Sequence, residues 1–152
     1  MNEAPPDRPE PLPRSHFLHF QAITTRWMDN DVYGHLNNVV HYSFFDTAVN
    51  RMLIEAGALD IHRGEVIGLV VHTQCRYFQS LAFPQTVQAG IRVGRLGRSS
   101  VHYQLGLFAD DATLAAAVGQ FTHVYVDRLS RQPVPLPATL RAALLPLTRE
   151  PA

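Results

Sequence analysis

Residues 25–42, TRWMDNDVYGHLNNVVHY, hold the densest group of side chains that could do chemistry. Asp29 and Asp31 stand two positions apart, and a Gly-His pair and two asparagines follow within the next seven residues. A carboxylate with an ordinary pKa of about 3.9 is ionised at neutral pH, so it can act as a nucleophile without help or as a weak base. A helix start needs only one cap residue, so the surplus of short polar groups indicates a functional site.

The segment after these polar residues has the spacing of one long helix. Its apolar side chains follow a 3,4,3,4 pattern from Asn38 onward, which predicts a helix over 38–56 with Gly57 as the C-terminal cap residue. Either Asn37 or Asn38 supplies the N-cap side chain. The members of the apolar stripe are Tyr42, Phe45, Val49, Met52 and Ala56.

The helix start would supply the second half of such a site. Free backbone N–H groups there carry partial positive charge and attract an oxyanion. Gly34 allows the loop over 29–37 backbone angles that other residues avoid, so the loop can bring Asp31 close to those amides. Taken alone, Asp31 would be read as a turn or cap residue. The whole group favours a catalytic role for Asp31 and a structural role for Asp29.

The rest of the chain consists mainly of strands. A proline cluster at 133, 135 and 137 ends the strand-rich region, and 137–147 predicts a short helix with Leu140, Leu144 and Leu147 facing inward. One long helix followed by consecutive short-turn strands predicts an α+β domain, with an antiparallel sheet wrapped around the helix and edge strands open to a second subunit. The predicted strands cover 17–27, 66–79, 85–95, 101–109 and 113–127.

Composition limits the class of protein. The 152 residues suit one domain, and 13 Lys+Arg against 13 Asp+Glu give no basic excess for nucleic acid or anionic membranes. The single cysteine, Cys75, excludes an intrachain disulfide and is interpreted as a small buried side chain.

Three regions are expected: a disordered proline-rich tail over 1–15, a domain over 16–130 and a C-terminal extension over 131–152 with a short helix. The start has no apolar segment typical of a signal peptide, and no stretch approaches the roughly 20 apolar residues of a membrane span. A cytoplasmic location is therefore expected.

The stretch RWMDNDVYGHLNNVVHYSFFD at 26–46 resembles the signature of acyl-CoA thioesterases of the 4-hydroxybenzoyl-CoA thioesterase type, which have the hot-dog fold. The shared elements are the Arg-Trp pair, Asp-x-Asp, Gly-His-x-Asn-Asn, and a tyrosine followed by an aromatic pair. The order strand, helix, four strands is also similar over about 17–127.

This resemblance implies roles for particular residues. Asp31 would be the catalytic carboxylate, and backbone amides near Asn38 would hold the thioester carbonyl. CoA would lie along a subunit boundary, partly against the turn over 97–100, in a homodimer or homotetramer. No cofactor is implied. The candidate substrate-binding residues are Tyr33, Asn37, Tyr42, Arg95, Arg98, Ser99 and Ser100.

Several alternatives stay open. His35 could act as an acid or a base, or it could fix the loop through backbone carbonyls. A metal site using His35, His41, Asp29 and Asp31 is the weaker interpretation, because no His-x-x-x-His spacing is present. The alternative functions are a hot-dog hydratase or dehydratase, whose Asp-x-Asn-Pro-x-His pattern is missing here, and a non-catalytic acyl-CoA or acyl-carrier binding module.

Overall fold

The computed structural model describes residues 9–150 and confirms the expected order of one strand, one long helix and four strands. Boundaries differ from the predicted ones by a few residues, mostly at the first and last strands. The elements are β1 (His19–Thr24), α1 (Asn38–Glu55), β2 (Val66–Tyr77), β3 (Thr86–Leu96), β4 (Ser100–Ala109), β5 (Ala117–Asp127) and α2 (Ala138–Leu144).

The five strands form one sheet in the order β1-β3-β4-β5-β2, and every neighbouring pair is antiparallel. The α+β prediction is therefore confirmed. The strand after the long helix, β2, crosses to the far edge of the sheet and pairs only with β5 within the described residues. Its unpaired side is open along 12 residues.

Helix α1 packs on one face of the sheet through a continuous apolar core. Phe45, Ala48 and Val49 are fully buried there. Phe45 lies directly over Gly119 of β5, where an added Cβ would come within 2.4 Å of the phenylalanine ring. The absence of a side chain at Gly119 thus sets how closely the helix approaches the sheet. No helix within residues 9–150 is both long and apolar enough to cross a membrane.

The segment before β1 covers the opposite face of the sheet. The backbone N–H of Arg14 donates to Thr113 at 2.9 Å, and its guanidinium lies 4.8 Å from the centre of the Phe108 ring. Phe17 is buried against Phe108 in the same small cluster, which Leu12 flanks. The expected disorder over 1–15 is thus wrong for residues 12–15, because apolar contacts and backbone pairing hold them. Residues 1–8 lie outside the described residues.

The C-terminal segment completes the main core. Leu140, Leu144 and Leu147 are buried, as the sequence predicted. The guanidinium of Arg141 donates to the Gly97 carbonyl at 2.7 Å, which ties α2 to the turn between β3 and β4. The C-terminal extension therefore shares the core of the preceding domain as far as Leu147.

Candidate active site

A cavity of about 430 Å³ opens at the N-terminus of α1. It is bounded by the loop before the helix, by the first turn of the helix and by the end of β2 with the segment after it. The backbone N–H of Leu36 donates to Leu81 at 2.6 Å and joins two of these walls. The lining residues are Asp31, His35, Leu36, Asn38, His41, Tyr77, Phe78, Gln79, Ser80 and Leu81.

Asp29 fixes the start of the loop. Its side chain is 1% exposed, and its carboxylate accepts hydrogen bonds from the Arg26 backbone N–H at 2.8 Å and the Arg26 guanidinium at 3.0 Å. Its backbone carbonyl accepts from Asn37 N–H at 2.9 Å. These are the contacts of a residue that shapes the loop, as the sequence suggested for Asp29.

Asp31 holds the turn with one carboxylate oxygen and leaves the other free. Its Oδ1 accepts from the backbone N–H groups of Tyr33 at 2.8 Å and His35 at 3.3 Å. Within residues 9–150, its Oδ2 accepts no hydrogen bond. A turn-stabilising role and a catalytic role of Asp31 are therefore compatible, because each role uses a different carboxylate oxygen.

The start of α1 leaves one amide unpaired. The Asn37 side chain is the N-cap and accepts from Val39 N–H at 3.0 Å, and the Asn37 carbonyl accepts from Val40 N–H at 2.9 Å. The N–H of Asn38, the first helical residue, donates to no group in the described part of the chain. Because Asn38 lines the cavity, this amide is a candidate donor to an oxyanion there.

His41 belongs to the cavity, although the sequence suggested it only as a weak metal ligand. It lies one turn into α1, is 3% exposed, and packs edge-to-face on Tyr77 with ring centres 4.8 Å apart. Burial lowers the pKa of the imidazole, and the backbone carbonyls of Asn37 and Asn38 partly oppose that effect. The signal in the sequence was the spacing from Asn38 to His41, which places both on one side of the first turn.

Tyr77 at the end of β2 was not singled out from the sequence. Burial raises its pKa, and the neighbouring Cys75 and Tyr42 add to the effect. Burial also raises the pKa of the Cys75 thiol to about 11, so the thiol stays protonated at neutral pH and is a poor nucleophile. Cys75 is half-buried and packs against the main core, so it is a packing residue but less buried than the sequence predicted.

The three candidate substrate-binding residues near the loop do not line the cavity. Tyr33 is 80% exposed, Asn37 caps α1 with its side chain, and Tyr42 packs edge-to-face on Phe45 with ring centres 6.0 Å apart. The imidazole of His35 is exposed but does line the cavity. Within the described residues, no group of three His, Cys, Asp or Glu side chains is arranged to hold a metal ion.

The four candidates of the β3–β4 region lie at the other end of the sheet. Tyr77 pairs with Ala117 and Ser100 pairs with Val124, seven positions apart along β5. At about 3.3 Å per residue, the turn is about 23 Å from the cavity wall. Arg95, Arg98, Ser99 and Ser100 therefore do not meet Asp31 within a single chain.

Comparison with known proteins identifies the class. Residues 25–144 match the family model described as the thioesterase-like superfamily, so the chain belongs to that superfamily. Its sheet and helix have the hot-dog fold that the sequence motif implied. No curated protein matches the chain.

Solved structures agree with this family. The PA5185 protein of Pseudomonas aeruginosa strain PAO1 is 57% identical, with 92% of this chain and 97% of that chain covered and a TM-score of 0.89. The PA2801 protein of Pseudomonas aeruginosa, described as a candidate thioesterase, is 28% identical, with coverages of 84% and 98% and a TM-score of 0.77. A DHNA-CoA thioesterase from Staphylococcus aureus is 19% identical, with coverages of 77% and 79% and a TM-score of 0.70. At that identity, the last likeness concerns the fold alone.

Proposed function

We propose that the protein is an acyl-CoA thioesterase that hydrolyses an acyl-CoA ester to a free acid and CoA. The observation that carries this proposal is the pairing of two unsatisfied groups in one cavity. The free Oδ2 of Asp31 can attack or act as a base, and the unpaired N–H of Asn38 can stabilise an oxyanion. Thioester hydrolysis needs both.

The two groups divide the chemistry between them. Asp31 acts either on the carbonyl carbon directly or on a water molecule. The Asn38 N–H receives the negative charge that develops on the carbonyl oxygen, and one such donor is worth about 3–4 kcal/mol in the transition state. His35 lines the same cavity, which supports it as a candidate to transfer a proton or to hold the loop.

CoA as the substrate carrier is supported by the thioesterase-like family and by the motif at 26–46, which resembles that of acyl-CoA thioesterases. Leu36 and Leu81 give the cavity an apolar side suited to an acyl group. Tyr33, Asn37 and Tyr42 do not line the cavity but are within two chain positions of residues that do, so they stay candidate contacts. Asn37 already uses its side-chain oxygen as the helix cap. The cytoplasm, where acyl-CoA esters are abundant, is the proposed location.

A homodimer formed through β2 would complete the CoA site. This edge strand exposes Leu69, Val70 and Val71. Two β2 strands paired antiparallel would bring the partner's β3–β4 turn to the same end of the joint sheet as the Asp31 cavity, three to four strand spacings away, or about 14–19 Å. An extended CoA molecule spans that distance, so Arg98 and its neighbours could contact phosphates across the boundary.

A panel of acyl-CoA esters, assayed by trapping the released thiol, tests the proposal. Multiple turnovers with at least one ester are expected. Tight binding of esters without thiol release would instead favour a binding module. Loss of enoyl-CoA absorbance without thiol release would favour a hydratase. Light scattering on the same preparation should give the mass of a dimer or tetramer.

A further inference from the structure

The imidazole of His41 lies in the cavity without a role in the two steps assigned so far. Its Nδ1 is 3.1 Å from the backbone carbonyl oxygen of Asn37. A carbonyl oxygen only accepts hydrogen bonds, so Nδ1 carries the hydrogen in this pair. In the neutral ring, Nε2 is then the basic nitrogen.

The surroundings of His41 keep this nitrogen neutral and reachable. Burial lowers the pKa of the ring, so the neutral form dominates at pH 7. Nε2 of His41 has no hydrogen-bond partner within residues 9–150. The atom is not fully buried, so it is accessible from the cavity that His41 lines. The other titratable groups lining this cavity are Asp31 and His35 from the loop and Tyr77 from β2.

Building on the thioester hydrolysis proposed above, we propose that His41 Nε2 takes the proton from the water molecule that releases the acyl group. In this scheme Asp31 is the nucleophile. The two N–H groups on its Oδ1 leave Oδ2 as the oxygen that is free to attack, whereas His41 Nε2 is a base with an open lone pair.

The steps balance. Asp31 Oδ2 forms a bond to the acyl carbon, the carbon–sulfur bond breaks, and CoA leaves as a thiolate. Water then attacks the acyl carbon of the mixed anhydride, its proton passes to His41 Nε2, and the bond between the acyl carbon and Asp31 breaks, which restores the carboxylate. The imidazolium returns its proton to the CoA thiolate. The sum is thioester plus water giving acid plus thiol.

The test uses the full chain with His41→Asn, whose side-chain amide can still donate to the Asn37 carbonyl but cannot act as a base. With an ester that the wild type hydrolyses, rapid mixing should show one equivalent of thiol released, followed by turnover at least about 100-fold slower than wild type. Mass spectrometry of the intact protein should show an acyl adduct. The matched control is His62→Asn, an exposed histidine outside the cavity lining, which should keep the wild-type rate without a burst.

Turnover by the His41→Asn variant at the wild-type rate would overturn the assignment. Slow thiol release already in the first turnover, with no acyl adduct on the protein, would also overturn it. Should the variant not fold, the wild type answers the question. Its turnover should fall on the acid side with an apparent pKa below 6.5, and the acyl adduct should accumulate as the rate falls. An acid limb without adduct would count against His41. A wild type that releases no thiol from any ester refutes thioester hydrolysis itself, a different result.

Discussion

Two buried histidines, His41 and His123, differ in their access to solvent: His41 opens into the cavity, and His123 is enclosed in the core. Each is 3% exposed, and burial lowers the pKa of each, that of His123 to about 4. His41 opens into the cavity at the start of α1. His123, in the central part of β5, is enclosed by aromatic rings, with Phe121 at 4.4 Å and Tyr103 at 5.3 Å between ring centres.

The difference lies in what each Nε2 can reach. In His123 it is the one buried side-chain nitrogen or oxygen within residues 9–150 that has no hydrogen-bond partner. Its Nδ1 is 3.4 Å from the Tyr125 hydroxyl, which also pairs with the Tyr103 hydroxyl at 2.7 Å. Burial favours the neutral form of both histidines. His41 is an accessible base because its Nε2 opens into the cavity, whereas the unpartnered Nε2 of His123 lowers the stability of the fold. Access, more than the pKa, separates a group that can do chemistry from one that cannot.

The largest effect is expected in the cavity that Asp31 and His41 share. Asp31→Asn should lower turnover by about 1,000-fold, because the amide is neither a nucleophile nor a base. Stability should change little, since the amide oxygen can still accept from the Tyr33 and His35 N–H groups. Thiol-release kinetics and a thermal melt of the same sample measure both. Near-normal turnover would remove Asp31 from the mechanism.

The buried environment of His123 should be visible in the pH dependence of the free energy of unfolding. The unfolded chain binds a proton at His123 near pH 6.5, whereas the folded chain does so only near pH 4. Stability is therefore full above about pH 6.5 and falls as the pH drops toward 4, by about 3 kcal/mol in total for this group.

His123→Phe removes this titration and should flatten that part of the curve in urea unfolding at several pH values. His41 contributes a loss of the same sign, so some slope should remain. Activity at pH 7.5 should stay at the wild-type level. An unchanged pH dependence of unfolding would mean that His123 titrates normally in the folded chain.

A substitution at Gly119 tests how tightly α1 packs on the sheet between the two histidines. In Gly119→Ala the new methyl group would meet the Phe45 ring, one turn along the helix from His41. A loss of about 2 kcal/mol in the free energy of unfolding is expected, because a packed core has no room for the methyl group. Gly94→Ala is the matched control, since its nearest contact would be an ordinary 3.7 Å. Equal stability of the two variants would show that the helix shifts freely.

The smallest effect is expected at the β3–β4 turn. Arg98→Ala should raise the KM for an acyl-CoA ester about fivefold, equivalent to about 1 kcal/mol, with kcat unchanged, because one exposed charge contributes modestly to binding. The same variant should not change the KM for a short acyl thioester without the nucleotide. An unchanged KM for both would place CoA away from this turn.

The local pattern of residues 26–57 was sufficient to predict α1, its cap and the loop that holds Asp31. A cap, a 3,4 spacing and a terminal glycine are all encoded within a few positions of one another, so short-range physics decides them. The five strands followed from alternation and turn residues for the same reason. The packing of Leu12 and Arg14 could not be read from their proline-rich context, because their partners, Thr113 and Phe108, are nearly 100 positions away.

The sequence alone therefore determined which residues could do chemistry and which elements carry them: a carboxylate before a long helix whose first amides have no partner within the helix. Only the tertiary structure decided which groups share a cavity. It brought His41 and Tyr77 to Asp31, placed the Arg98 turn at the opposite end of the sheet, and sealed His123 inside. The reason is that the order β1-β3-β4-β5-β2 joins segments far apart in the chain, and that order depends on long-range burial rather than on local preference.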